Sequence, residues 1–169
     1  MSIVVSNMTT LVSRTGRELQ RYEHGHRLVA GCIPYRYKLT QDNKKMEVLM
    51  ISSQKGQGLF FPKGGWEKDE TVEEAACREA FEEAGVRGLL QDLLGSWDYK
   101  SKGLQGVSCP EGLCRAYMFP LAVTEQLDTW PENSRHRQWF DVSDAMEKCR
   151  HDWMREALRN LIATTESHA

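Results

Sequence analysis

The segment from Thr71 to Ala84 limits the possible folds of this chain more than any other part of the sequence. Thr71 and Glu74 form the capping-box pattern of a helix start, and Gly85 is a typical helix stop. At about 100° per residue, one apolar face of this segment is formed by Ala76, Ala80, Ala84, Cys77 and Phe81. We therefore predict a helix over 71–84 whose alanine face packs against a sheet.

Three glutamates, Glu79, Glu82 and Glu83, lie on a largely separate face of this predicted helix, because they are spaced i, i+3 and i+4. Carboxylates this close repel one another, and a purely structural helix gains nothing from that arrangement. A hard divalent cation reverses the effect, since carboxylate oxygens are the ligands that Mg²⁺ prefers. The spacing alone leaves two interpretations open, a metal site and a solvent-exposed glutamate patch.

The charge distribution favours a site for an anionic substrate. The segment from Glu67 to Glu83 carries a net charge of −6, and the rest of the chain carries +4. An acidic cluster in a mildly basic body suits a cation-assisted reaction of an anion. The total charge of −2 argues against a general nucleic-acid binder. No apolar run approaches the roughly 18–20 residues that span a bilayer, so we expect a small-molecule partner and neither nucleic acid nor membrane.

The remainder of the chain predicts a mixed architecture. Short apolar or β-branched segments predict strands at 27–38, 47–52, 59–61, 93–99, 115–123 and 138–142. Helices are predicted over 143–149 and 153–164, with a loop over 101–113 and a turn at 43–45. Strands before, between and after helices indicate an α/β or α+β chain with sheet and helices in layers. We expect a loosely ordered leader over 1–25, followed by one domain over 26–165.

Residues 64–86 read GGWEKDETVEEAACREAFEEAGV. They fit the pattern of Gly, five residues, Glu, seven residues, Arg-Glu, two residues, Glu-Glu, one residue, Gly and an aliphatic residue. The fixed positions are filled by Gly64, Glu70, Arg78, Glu79, Glu82, Glu83, Gly85 and Val86. This segment resembles the signature of the Nudix hydrolases, with Ala80 where that family usually has a larger aliphatic residue.

The resemblance implies a Nudix α/β/α sandwich with a mixed central sheet, and hydrolysis of a phosphoanhydride bond with Mg²⁺ or Mn²⁺ as cofactor. It implies that Glu79 and Glu83 are metal ligands, together with Gly64. Glu82 is implied as a further ligand or as the base that deprotonates water. Arg78 is implied to orient a carboxylate through an internal salt bridge. Which glutamate acts as the base varies within the family and stays open here.

Motifs outside this segment narrow the expected substrate. The sequences FPKGGW at 61–66 and RHRQWF at 135–140 resemble the Nudix group that acts on diphosphoinositol polyphosphates and diadenosine polyphosphates. Trp66 and the sequence DWM at 152–154 resemble its plant members in particular. A densely phosphorylated substrate needs several basic and hydrogen-bonding groups. The predicted substrate-binding residues are Arg27, Ser52, Ser53, Lys63, Arg135 and Arg137. Hydrolysis of ADP-ribose, NADH or other nucleoside diphosphate derivatives is the alternative, and the complete set of glutamates argues against a non-catalytic binding protein.

The cysteines indicate the compartment. The chain has five, an odd number without paired metal-ligand spacing, so neither a disulfide framework nor a zinc site is predicted. A reducing compartment, the cytosol or also the nucleus, is therefore expected. The early arginines Arg14, Arg17 and Arg21 leave a mitochondrial destination open.

Overall fold

The computed structural model describes residues 12–54, 56, 58–101 and 112–167 of the 169-residue chain. Within these residues, nine strands form one sheet. The strands are β1 (Tyr22–Glu23), β2 (His26–Leu39), β3 (Lys44–Ser52), β4 (Leu59–Phe60), β5 (Lys63–Gly65), β6 (Val86–Leu90), β7 (Gly95–Lys100), β8 (Leu113–Gln126) and β9 (Arg137–Asp141). The helices are α1 (Val72–Glu79), which continues as a π-helix (Ala80–Ala84), α2 (Val142–Lys148) and α3 (Asp152–Ser167). None of the described helices is long and apolar enough to cross a membrane.

The sheet is mixed, and its order sets where α1 begins. Its main path runs β4-β3-β2-β8-β6. β2 and β8 pair in parallel, from Arg27 opposite Cys114 to Tyr35 opposite Ala122, whereas the other strand pairs are antiparallel. β2 pairs with β5 over 29–31 and with β3 over 35–39. Because β5 is followed by the loop that leads into α1, this pairing ties the start of the helix to the central strand.

Helices cover both faces of the sheet. In β2, Ala30 and Cys32 belong to the core beside α1, while Val29 and Ile33 belong to the core beside α3. The helix over 72–84 contributes small buried side chains to the first core, namely Ala75, Ala76, Cys77, Ala80 and Ala84. Small side chains let the helix backbone approach the sheet closely. The predicted alanine face and the predicted α/β/α sandwich are confirmed.

The ends of the predicted helix are also confirmed. The main-chain N–H of Glu74 donates to the hydroxyl of Thr71 at 3.1 Å, and the main-chain N–H of Thr71 donates to the Glu74 carboxylate at 2.9 Å. These two bonds complete the capping box. Gly85 ends the helix in the left-handed region with φ of 65°, where glycine has no steric penalty.

The last turn of this helix, Ala80–Ala84, is a π-helix, which the period of about 100° per residue does not predict. A π turn is wider than an α turn and is frequent at functional sites. It changes the direction of Glu82 and Glu83 relative to Glu79, so the face predicted for the three glutamates is only approximate.

The strands predicted from the sequence are all present, and the two C-terminal helices are confirmed within a few residues. Strands β1, β5 and β6 are not predicted. β5 has two glycines among its three residues, and β6 pairs with an irregular register between Arg87 and Gly88. Neither segment shows the alternation of apolar and polar residues that indicates a strand. The turn predicted at 43–45 is wrong for Lys44 and Lys45, which begin β3. Most of the predicted loop over 101–113 lies outside the described residues.

The predicted leader is described only from residue 12 onward. Its second half contacts the domain. Gln20 is 4% exposed, and its side-chain amide donates to the carbonyl of Leu28 at 2.8 Å. The guanidinium of Arg21 lies 4.5 Å from the ring centroid of Trp66. The domain boundary at residue 26 stays a prediction.

We expect Ala80→Asp to unfold the protein, because the Ala80 side chain is fully buried against the sheet. Burial of an unpaired charge costs several kcal/mol, which is comparable to a typical total stability of about 5–15 kcal/mol. Ala163→Asp, on the exposed side of α3, is the matched control and should change the free energy of unfolding by about 0.5 kcal/mol or less. Urea denaturation followed by circular dichroism measures both. Equal stability of the two variants would contradict the packing described here.

Candidate active site

A single buried guanidinium, that of Arg78, binds three carboxylates. Its Nε and Nη2 atoms donate to the two oxygens of Glu70 at 2.9 and 2.7 Å. Its Nη1 donates to Glu79 at 3.0 Å and lies 3.4 Å from both oxygens of Glu82. Nη2 also donates to the carbonyl of Gly65 at 2.8 Å. Arg78 therefore joins the loop before α1 to the glutamates of the helix.

Besides Arg78, two further neighbours of Glu79 are Glu83 and Gly64. Burial and the charge of Glu83 raise the pKa of Glu79 well above its ordinary range. Burial raises the pKa of Glu83 to about 7, against the opposing charges of Arg135 and Lys63. The main chain of Gly64 touches the Glu79 carboxylate so closely that a Cβ at this position would overlap it. The structure thus brings together Glu79, Glu83 and Gly64.

This donor set fits a hard divalent cation, although the carboxylates are turned toward arginines in the structure. No three His, Cys, Asp or Glu side chains among the described residues converge as a preformed metal cage. The raised pKa values of Glu79, Glu82 and Glu83 all have burial as their main cause. Buried carboxylates that repel one another are stabilised by an added cation, and oxygen ligands are those that Mg²⁺ prefers.

A fourth site carboxylate, Glu132, comes from the loop between β8 and β9. Its main-chain N–H donates to the carbonyl of Glu82 at 2.9 Å. Its carboxylate accepts from the guanidinium of Arg135 at 2.9 and 3.0 Å. The charge of Glu132 contributes to the raised pKa of Glu79, Glu82 and Glu83. Glu132 is not predicted from the sequence, because a single glutamate in a loop has no spacing that indicates a function.

Of the predicted substrate-binding residues, Lys63 and Arg135 flank Glu83. The Nζ atom of Lys63 lies 5.3 Å from the ring centroid of Tyr99, and burial lowers the pKa of Lys63 while Glu83 raises it. The Nη2 atom of Arg135 lies 3.5 Å from the Glu83 carboxylate, and its Nη1 donates to the carbonyl of Ser52 at 3.0 Å. Arg135 is therefore shared between two carboxylates and the end of β3.

Two further predicted residues are bonded to the protein itself. The buried hydroxyl of Ser52 accepts from the main-chain N–H of His136 at 2.9 Å. Arg137 donates to the carbonyls of Ala84, Gly85 and Leu127. Its guanidinium also stacks 3.8 Å from the ring centroid of Trp130. Ser52 and Arg137 therefore stabilise the framework of the site, and their predicted role in substrate binding stays a prediction.

The other two predicted residues lie at the edges of this region. The Nε atom of Arg27 donates to the side-chain oxygen of Gln20 at 3.0 Å, and the charge of Arg27 acts on Lys63. Ser53 follows β3 and is half-buried.

Two basic residues that are not predicted from the sequence, Arg150 and His151, lie near this region, with His151 close to Lys63. The imidazole of His151 stacks on Phe60 with ring centroids 5.9 Å apart. Burial lowers the pKa of His151, and so do the charges of Lys63 and Arg150. Arg150 lies against Gly58, where a Cβ would be 2.7 Å from its Nη1 atom. A positive charge directly before a helix N-terminus is unfavourable for the helix dipole. The two basic residues before α3 are therefore the sequence feature that could have indicated a functional role for Arg150 and His151.

Comparisons with known proteins identify the family and the fold. The NUDIX domain family model matches residues 25–161. The chain is 58% identical to Nudix hydrolase 16, mitochondrial, of Arabidopsis thaliana, over 89% of this chain and 88% of that protein. It is 34% identical to diphosphoinositol polyphosphate phosphohydrolase 3-alpha of Mus musculus, over 73% of this chain and 69% of that protein. The crystal structure of C. elegans Ap4A hydrolase has the same fold, with a TM-score of 0.63 at 22% identity, covering 82% of this chain and 97% of that one.

The chain therefore belongs to the Nudix family. It is a Nudix hydrolase, a class that acts on small pyrophosphate-containing substrates.

The raised pKa of Glu83 predicts how stability depends on pH in the presence of EDTA. Glu83 releases its proton near pH 7 in the folded protein but near 4.5 in an unfolded chain. Between these values the folded state binds more protons, so the free energy of unfolding should decrease as the pH rises from about 5 to about 8. In Glu83→Gln this decrease should be smaller by on the order of 1–3 kcal/mol. Urea denaturation at several pH values measures it, with Glu156→Gln on the exposed side of α3 as the control. Identical pH dependence in the wild type and Glu83→Gln would contradict the assigned pKa.

Proposed function

We propose that the protein hydrolyses a phosphoanhydride bond in a densely phosphorylated small molecule, either a diphosphoinositol polyphosphate or a long-chain diadenosine polyphosphate. The observation that carries this proposal is a group of basic side chains around Lys63, which adjoins Glu83. We call it the basic row, and its members are Arg27, Lys63, Arg150 and His151.

The basic row differs from the other charged groups of the site. Arg78 and Arg135 are in salt bridges with glutamates. Among the described residues, no member of the basic row forms a salt bridge with a carboxylate. The charge of Arg27 acts on Lys63, and the charges of Lys63 and Arg150 act on His151, so each member lies near at least one other. Unpaired basic groups that adjoin one another favour the binding of an anion with several phosphates.

Each residue of the site has a proposed role in the reaction. Glu79 and Glu83, with the main chain of Gly64, are the proposed holders of Mg²⁺ or Mn²⁺, which polarises a phosphoryl oxygen when bound. Glu82 is a further ligand or the base that takes a proton from the attacking water, and a raised pKa suits a general base. Arg78 positions Glu79 and Glu82 through its hydrogen bonds.

The names of relatives support the substrate class. The mouse relative is named for diphosphoinositol polyphosphate, and the C. elegans protein is an Ap4A hydrolase. The alternative substrates, ADP-ribose, NADH and other nucleoside diphosphate derivatives, have a single diphosphate that would leave most of the basic row without a partner.

The compartment is a separate proposal. The cysteines favour the cytosol, while the names of Nudix hydrolases 16 and 17 of Arabidopsis include a mitochondrial location. We propose mitochondria on the strength of these two relatives, at 58% and 54% identity. Imaging of the chain with a C-terminal fluorescent protein distinguishes the two compartments.

The substrate proposal predicts a phosphate-dependent effect of Arg150→Ala. A charge-assisted hydrogen bond contributes about 1.5–3 kcal/mol, so kcat/KM should fall about 10-fold or more for an inositol pyrophosphate or a diadenosine polyphosphate. The fall for ADP-ribose should be slight. Arg159→Ala removes the same charge from the exposed side of α3 and should leave all three values unchanged. Phosphate release or product chromatography, with Mg²⁺ and with EDTA in parallel, measures these rates.

Three outcomes would count against the proposal. Equal losses on all three substrates would mean that Arg150 supports the structure and not the ligand. A wild-type preference for ADP-ribose would favour the alternative substrates. Activity in EDTA equal to that in Mg²⁺ would exclude the metal-dependent mechanism.

A further inference from the structure

Residues 12–16, which we call the N-terminal strap, reach the acidic site from outside the matched family domain, which begins at residue 25. The hydroxyl of Ser13 donates to Oε2 of Glu132 at 2.8 Å. The main-chain N–H of Arg14 donates to Oε2 of Glu82 at 3.3 Å. Both acceptors are carboxylates of the site, so the strap contacts functional groups rather than the hydrophobic core.

The side chain of Arg14 anchors the strap to the loop between β5 and α1. Its Nη1 atom donates to the two oxygens of Asp69 at 2.8 and 3.1 Å and to Glu67 at 3.1 Å. Its Nη2 atom lies 3.9 Å from Glu70, the carboxylate that binds Arg78 in two places. Arg14 therefore adds a second guanidinium to the network around Arg78, supplied from a different part of the chain.

The strap adds a third contact to Glu82, which Arg78 contacts only at long distance. Arg78 is divided among three carboxylates, and its Nη1 lies at 3.4 Å from each oxygen of Glu82, the long end of the hydrogen-bond range. A carboxylate held only by long contacts can rotate about its terminal bond. The Arg14 N–H donates to Oε2 alone, at a similar distance of 3.3 Å. It therefore distinguishes the two oxygens that Arg78 contacts equally, and favours one orientation of the carboxylate.

We propose that the N-terminal strap is a positioning element of the active site, with Arg14 as its anchor. Arg14 holds the strap in place, so that its own N–H orients Glu82 and the Ser13 hydroxyl orients Glu132. The inference rests on the proposed function in one respect, the participation of Glu82 in metal binding or catalysis.

Arg14→Ala tests this inference, because it releases the anchor but keeps the main-chain N–H. Hydrogen–deuterium exchange of residues 12–20 should become faster. Removal of groups that orient metal ligands weakens metal binding or activity about 10–100-fold. We expect Mn²⁺ affinity, measured by titration calorimetry, and kcat each to fall about 10-fold, with little change in the KM of the substrate.

Two variants control for charge. Arg17→Ala removes an exposed guanidinium just after the strap, which forms no salt bridge with the described residues, and should behave like the wild type. Arg14→Lys keeps the charge but cannot donate to Asp69 and Glu67 with the same planar fork, so it should be intermediate.

Each outcome bears on the inference. Faster exchange without any change in Mn²⁺ affinity or kcat would show that the strap is only structural, and would overturn it. An increase in kcat would mean that the strap restrains Glu82, and would overturn it as well. Exchange and Mn²⁺ binding need no substrate, so both readouts stand even if the substrate proposal fails.

Discussion

The buried guanidinium of Arg78 is the interaction on which the rest of the site depends. It binds Glu70 with two hydrogen bonds, Glu79 with one and Glu82 with two long ones, and it also binds the carbonyl of Gly65. Without a central cation, these buried carboxylates would repel one another and lose their ionised form. Gly65 ends β5, Glu70 lies in the loop that follows, and the other two glutamates belong to the helix, so one side chain fixes the relation between these elements.

The fold provides the framework that Arg78 needs. β5 pairs with the first part of β2, and the alanine face of the following helix packs on β2 and its neighbours. Gly64 lies against the Glu79 carboxylate, which a Cβ at this position would displace. Beyond this framework the site is completed by three separate segments: Ser13 and Arg14 ahead of the domain, Glu132 and Arg135 between β8 and β9, and Arg150 and His151 before α3.

Local patterns in the sequence predict the framework well. The capping box, the alanine face and Gly85 depend on contacts within a few residues, and the structure has them as predicted. The long strands have enough alternation to be recognised, whereas β5 is too short and too rich in glycine. The site beyond the helix depends on long-range contacts. The bonds of Arg137 and Ser52 to main-chain groups cannot be read from their positions in the sequence, and Glu132 and Arg14 have no local pattern at all.

The most direct test of the central claim is the Mn²⁺ affinity of Arg78→Lys, measured by titration calorimetry beside the wild type and Arg115→Lys, a surface control paired with Asp98 on the sheet. Lysine keeps the positive charge but cannot donate to three carboxylates with a planar fork. The account predicts a folded variant whose Mn²⁺ affinity is about 10-fold weaker or more, with the control unchanged. An Arg78→Lys protein that binds Mn²⁺ as tightly as the wild type would contradict it.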